Sequence, residues 1–291
     1  MNKPRVVVFG YSEVGYVCLE YLLEHQVNVV ALFTHQDDPR ETHWFRSVSQ
    51  LAEYREVPTF KPNSLKEPEW ERRMREEFRP DLIFSFYYRH MIPMRLLAPA
   101  VLGAVNMHGS MLPKYRGKAP VNWAVLHGEP STGATLHHMV AKADAGDIVD
   151  QERVPIGDRD TAAEVTQRAV AAARLVLARQ LDNLLQGTAP RTPQNHAEAT
   201  YFGGRRPEDG RIDWHWPTRQ VFNLIRAVTR PYPGAFADMA DGRRLLIWWA
   251  EPEAARTSGA PGQILGENPL RIATGDGALT VTDYEWRTEQ P

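Results

Sequence analysis

Cysteine is nearly absent: Cys18 stands alone among 291 residues. That excludes a disulfide within the chain and a zinc site built from several thiolates, and it fits a reducing compartment. Long apolar runs are missing too; none approaches the ~20 residues of a membrane span. The start, "MNKPRVVVFGYSEVGYVCLEYLLEH", is basic and then apolar, but charged residues break it too early for a secretory signal. The expectation is a cytoplasmic protein with no membrane insertion. Charge of one sign is also missing. Lys and Arg total 34 against 36 Asp and Glu, a formal net charge of −2. Coating nucleic acid requires a basic excess, so no nucleic-acid partner is expected.

Two common motifs are likewise lacking. The first strand-to-helix turn reads "GYSEVG", with Ser12 where a dinucleotide fingerprint needs glycine, so no nicotinamide cofactor is implied. The 10 histidines include no H-E-x-x-H spacing. The adjacent pair His137 and His138 would point to opposite faces of a strand. No catalytic metal is expected.

What is present is an alternation of strand and helix patterns. "RVVVFG" (5–10) is a β-branched run, 13–25 has helical spacing, and 27–35 is a second strand-like run. This β-α-β unit predicts a parallel sheet. Helices are predicted at 47–57, 67–78 and, briefly, 95–100, and strands at 80–88, 103–108, 133–140 and 147–156. Residues 161–187 form a long Ala/Leu-rich helix, with Thr161 and Glu164 as a capping box and Gly187 at its end. Periodicity then vanishes. We place a first domain at 1–190, a junction at 191–210 and a smaller domain at 211–291. The last holds a helix (218–229) and short strands between Gly/Pro turns, suggesting a small sheet or barrel of the OB type.

The chemistry concentrates in "NMHGSMLPKYRGKAP" (106–120). In an extended segment Asn106 and His108 share a face. At the carboxyl end of a strand in an open α/β sheet they would line a ligand crevice. An Asn amide there can donate to a developing oxyanion, and a His can move a proton near neutral pH. The same spacing also suits two polar residues that merely satisfy loop carbonyls. Asp144, in the loop "KADAGD", could orient His108 or be an ordinary turn residue before Gly146. Lys114, Arg116 and Lys118 suit an anionic ligand or a solvated basic loop, and Arg205 and Arg206 could add to them.

The stretch "NMHGSMLPKYRGKAPVNWAVLHGEPSTGATLHHMVAKADAGDIV" resembles the 10-formyltetrahydrofolate-dependent formyltransferases. It carries, in order, Asn-x-His-x-Ser-x-Leu-Pro, Arg-Gly-x-x-Pro, Thr-Gly-x-Thr and Asp-x-Gly. "FSFYYRHMI" (84–92), "ATYFGGRRPEDGRIDW" (199–214) and "RAVTRPYPGAF" (226–236) are most similar to one branch, the formyltransferase domain of the bifunctional polymyxin-resistance protein ArnA.

The resemblance implies a Rossmann-like N-terminal catalytic domain and a smaller OB-like β-rich C-terminal domain. It implies a catalytic His at His108, an oxyanion-stabilising Asn at Asn106 and a His-tuning Asp at Asp144. Folate contacts fall on His90, Met91 and Ile92, on Val140, Ala141, Lys142 and Ala143, and on Lys118, where the branch has Arg. Ser110, Lys114, Arg116, Arg205 and Arg206 are then candidates for the acceptor. The implied co-substrate is 10-formyltetrahydrofolate. The implied acceptor is UDP-4-amino-4-deoxy-L-arabinose, a step of lipid A modification and polymyxin resistance. The fused UDP-glucuronic acid decarboxylase of ArnA has no counterpart here, so a separate decarboxylase partner is one expectation. Other nucleotide-linked amino sugars, and more remotely methionyl-tRNA, remain alternative acceptors. Against tRNA stands "THQDDPRETHWF" (34–45), which is not the basic loop of the tRNA enzymes.

Overall fold

The structure is a computed structural model that describes residues 3–37, 44–239, 241–253 and 259–288. Part of the 34–45 segment (38–43) therefore lies outside the described residues. The chain forms two compact units. The first comprises residues 1–117, 132–154 and 168–201, and the second 118–131, 155–167 and 202–291. The first half of the aperiodic stretch, up to Tyr201, thus belongs to the first unit.

The first unit is built on a seven-stranded sheet in the order β3-β2-β1-β4-β5-β7-β8. These are β1 (Arg5–Gly10), β2 (Asn28–Phe33), β3 (Thr59–Phe60), β4 (Leu82–Phe86), β5 (Ala104–His108), β7 (Ser131–His138) and β8 (Ile148–Pro155). The short β6 (Arg116–Gly117) lies outside it. Val6, Val7, Val8 and Phe9 are all fully buried, as a central strand covered on both faces requires. Three helices, α1 (Ser12–Glu24), α2 (Val48–Tyr54) and α3 (Pro68–Arg73), follow in that order between β1 and β4, and α4 (Met94–Leu97) precedes β5. The helix expected over 67–78 changes character midway. Residues Met74–Phe78 form a π-helical turn, closed by Arg79 N donating to Met74 O at 2.9 Å. Arg79 itself is left-handed, at φ 43°.

β1 through β5 run parallel, but β7 runs antiparallel to β5. The expected parallel pairing holds through β5 and ends there, because a parallel neighbour needs a crossover that packs on the sheet. The helix between β5 and β7, α5 (Pro120–Leu126), instead packs on α7 (Thr218–Val228) within the second unit. No periodicity had marked α5 in the sequence.

The long helix α6 (Ala162–Gln186) begins as its residues dictate. Glu164 N donates to Thr161 Oγ1 at 3.2 Å, and Thr161 N donates to Glu164 Oε2 at 2.8 Å. Gly187 ends it at φ 71°. After the two-residue β9 (Tyr201–Phe202), the second unit folds a five-stranded antiparallel sheet in the order β10-β11-β14-β13-β12. Its strands are β10 (Ala235–Asp238), β11 (Arg243–Glu253), β12 (Ile264–Glu267), β13 (Leu270–Ala273) and β14 (Ala278–Thr288). β10 and β12 form the edges of this sheet. No helix among the described residues is long and apolar enough to cross a membrane.

Candidate active site

Register builds the site. Asn106 lies opposite His137, and His108 opposite Thr135, across the β5–β7 ladder. Residues two apart on a strand, and residues directly opposite across a pair, share a face. Asn106, His108, His137 and Thr135 therefore line one face. Asn106 Nδ2 is 3.1 Å from His137 Nε2. The loop after β7 returns over this face and brings Asp144 to it. Asp144 Oδ1 lies 3.7 Å from His108 Nδ1 and 3.6 Å from His137 Nε2. Gly117 N donates to Asp144 Oδ2 at 2.8 Å.

These bonds determine where the protons sit. His108 Nε2 is 2.7 Å from the Tyr115 carbonyl oxygen, and His137 Nδ1 is 2.9 Å from that of His138. A carbonyl only accepts, so each of these ring nitrogens carries a hydrogen. The lone pair of neutral His108 is then on Nδ1, facing Asp144. That of neutral His137 is on Nε2, where it accepts from the Asn106 amide. One amide hydrogen of Asn106 remains to serve a ligand.

His108 is 6% exposed. Burial pushes its pKa down; the Asp144 carboxylate and the Tyr115 carbonyl push it up, His137 and Arg116 push it down, and the net direction is downward. The Asp144 carboxyl is opposed by its own burial, yet the positive charge that His108 and His137 carry when protonated, together with the Gly117 N–H, holds it below the usual carboxylate range. The resting pair is a neutral imidazole beside a carboxylate. The tuning expected of Asp144 is thus an upward push on His108 that desolvation outweighs.

The remaining candidates scatter. Ser110 is fully buried, its hydroxyl donating to Lys114 O at 2.6 Å. Arg116 is also fully buried. Its Nε and Nη2 donate to Gln194 Oε1 at 3.2 and 2.6 Å, and its Nη1 donates to Tyr201 Oη at 2.6 Å. An anion would have to displace these partners. Lys114, Lys118 and Arg206 are exposed. Lys118 and both arginines belong to the second unit. There Arg205 lies over the Trp123 ring at 4.9 Å, donates from Nη2 to Asp209 O at 2.9 Å, and buries Nη1 without a hydrogen-bond partner. Burial pushes the Arg205 pKa down.

His90, Met91 and Val140 to Ala143 are exposed, whereas Ile92 is buried. Ile92 and Ala104 belong to one apolar cluster, against which Met139 packs. A cavity of about 180 Å³ opens beside them, lined in part by Ala104, Met139, Val140 and Gly146. Among the described residues no group of three His, Cys, Asp or Glu could hold a metal.

Sequence reasoning missed His137 and Gln194. For His137 the signal was the partner across an antiparallel ladder, which a single strand does not carry. For Gln194 there was no local signal.

The formyl transferase family model matches residues 5–181, and that for the formyl transferase C-terminal domain matches 205–291. Among solved structures, HypX from Aquifex aeolicus in complex with tetrahydrofolic acid superposes with a TM-score of 0.67 at 21% identity, over 99% of this chain and 45% of that one. This chain thus spans less than half the length of HypX. The N-formyltransferase from Helicobacter canadensis, in complex with folinic acid and dTDP-3-aminofucose, gives 0.72 at 20% identity, over 97% of this chain and 100% of that one. A 4-N formyltransferase from Francisella tularensis gives 0.69 at 20% identity, over 87% and 99%. These likenesses are of fold; the family models cover most of the chain itself, and it belongs to the formyl transferase family.

Proposed function

We propose that this chain transfers the formyl group of 10-formyltetrahydrofolate to the 4-amine of UDP-4-amino-4-deoxy-L-arabinose. The observation that carries the reaction class is the set on one face of β5 and β7: Asn106 with one amide hydrogen to give, and His108 with its lone pair on Nδ1 beside Asp144. The neutral amine attacks the formyl carbon. Asn106 donates to the oxyanion of the tetrahedral intermediate. His108 Nδ1 takes the proton that the amine loses, and the imidazolium so formed is stabilised by Asp144. The same proton then goes to the folate nitrogen as its bond to the formyl carbon breaks. Products are the formamide and tetrahydrofolate, with no net proton change.

The ArnA-like segments support the UDP-linked acceptor, and with it a role in lipid A modification and polymyxin resistance, carried out in the cytoplasm beside a separate decarboxylase. The exposed apolar side chains of Met91 (65%) and Val140 (44%) suit a flat folate ring better than water. A second reading, another nucleotide-linked amino sugar, is favoured by the acceptor class of the Helicobacter enzyme. Methionyl-tRNA ranks behind both, since a net charge of −2 offers its phosphates little.

The test is formyl transfer by the purified protein with each acceptor class in turn. Turnover with the UDP-arabinose amine above the dTDP-linked amines is expected. His108→Ala should lose about 10²–10⁴-fold in kcat, and Asn106→Ala about 10²–10³-fold. Near-wild-type turnover in either folded variant refutes the assignment. Preference for a dTDP-sugar or for tRNA replaces the acceptor.

A further inference from the structure

We propose that Gln194, clamped by the buried Arg116, is a positioning residue that fixes Asp144 against His108. The inference rests on the formyl-transfer reading of the site. It starts from an unusual side chain. Gln194 lies in a stretch without helix or strand periodicity, yet it is 6% exposed and uses every hydrogen-bonding position of its amide. Oε1 accepts from Arg116 Nε at 3.2 Å and Nη2 at 2.6 Å. Nε2 donates to Asp144 O at 2.9 Å and to Gly146 O at 2.6 Å. A guanidinium only donates and a carbonyl only accepts, so the amide has one permitted orientation.

Asp144 is held at two points. It is a non-glycine residue at φ 53°, in the left-handed region that Asp enters more readily than most side chains. Two bonds fix its place. Gln194 holds the main-chain oxygen, and the Gly117 N–H holds carboxylate Oδ2 at 2.8 Å. Both holds trace to the adjacent residues Arg116 and Gly117, so the carboxylate and its backbone are referenced to one short segment. Among the described residues the partners of the Arg116 guanidinium are Gln194, Tyr201 and, at 3.0 Å from Nη2, His196 Nδ1, and no carboxylate is among them. A buried Arg without an ion pair stabilises little by charge. Its geometric use is to orient the Gln194 amide.

The groups facing His108 are Asp144 from the loop after β7, His137 from β7, and Arg116 and the Tyr115 carbonyl from the segment after β5. Of these, Asp144 and the Tyr115 carbonyl raise the imidazole pKa. If Gln194 releases Asp144, the His108 pKa falls, and the imidazolium formed in turnover loses its counter-charge.

The experiment uses two variants of the full chain. Gln194→Met removes both donors and the acceptor at similar length. Gln194→Glu keeps an acceptor for Arg116 but sets a carboxylate against the Asp144 and Gly146 carbonyls. For Gln194→Met, NMR titration of the His108 ring without substrate is expected to give a pKa below wild type. For both variants kcat should fall about tenfold, part of the ~10²–10⁴ of a positioned acid/base, while KM for donor and acceptor stays within about threefold. If Gln194→Met does not fold, Gln194→Glu decides on the kcat–KM split alone. A folded variant with wild-type kcat, or a Gln194→Met protein with the wild-type His108 titration, overturns the proposal. A wild-type protein that transfers no formyl group refutes the functional reading instead, and the ring titration still decides the positioning.

Discussion

Replacing Gly146 by Ala tests whether the loop that carries Asp144 is held to sub-ångström tolerance. A Cβ on Gly146 would lie 1.9 Å from the His138 carbonyl oxygen and 2.9 Å from its carbon. Real Cβ atoms essentially never come within 3.0 Å of such neighbours, so about 1.1 Å of space has to open. Both sides of the clash are backbone, and no rotamer change relieves it. Either the end of β7 moves, with His137 on it, or the loop moves, with Asp144 on it. His138 N donates to Asp147 O at 2.8 Å across the same crossing, so neither side yields alone. A displacement of about 1 Å in a catalytic group is worth on the order of 10²-fold in rate. Gly146→Ala is therefore expected to lose about 10²-fold in kcat with little change in KM. Overpacking of this kind also costs about 1–3 kcal/mol of stability, so turnover is measured well below the variant's unfolding temperature, with circular dichroism as the check on folding. A folded Gly146→Ala protein with kcat within about threefold of wild type would refute the claim that this crossing sets the Asp144 geometry. The Asp-x-Gly turn, a sequence motif before, thereby acquires a steric reason.

Three further expectations concern pH, a buried cation and an exchange of one cation for another. Burial, His90 and Arg89 lower the His35 pKa to about 4, and the ring accepts from Arg89 N at 3.1 Å; the folded value lies below the unfolded 6.5, the unfolded chain binds more protons between them, and stability falls as pH drops from about 6.5 to 4. Denaturant unfolding across that range should show a shallower loss for His35→Gln, and an identical slope refutes it. In the second unit, Arg226 is buried and donates to Asn223 Oδ1 at 2.9 Å, Asp160 O at 3.0 Å and Val125 O at 3.2 Å. Arg226→Met should cost about 2–5 kcal/mol in urea unfolding, because those acceptors lose their donor. Lys118→Arg should lower KM for the folate by restoring a planar two-pronged donor, leaving kcat within about threefold; an unchanged KM would remove Lys118 from the folate contacts.

Much of the first unit was legible because its signals are local. Residues 5–10 read as a strand of a parallel sheet because a β-branched run, a helical spacing and a second such run follow one another within about 30 residues. Thr161 and Glu164 read as a helix start because a capping box needs only two residues three apart. The shared face of Asn106 and His108 followed from the period of a strand. The 67–78 helix was legible only in part, since a π-turn depends on what packs around Met74 and Phe78. α5 escaped notice because its seven residues are too few to display a period.

By itself the sequence determined the fold class and the formyl transferase motifs, because these rest on residue type and short spacing, and it offered Asn106, His108 and Asp144 as candidates. The tertiary structure alone decided how they meet. The antiparallel turn of β7 set His137 against Asn106, and the returning loop set Asp144 3.7 Å from His108. It also turned Arg116 from a candidate anion binder into a buried clamp on Gln194. Those are distances between segments tens of residues apart. They depend on strand direction and on which polar groups are desolvated together, and neither is a property of any local stretch of chain.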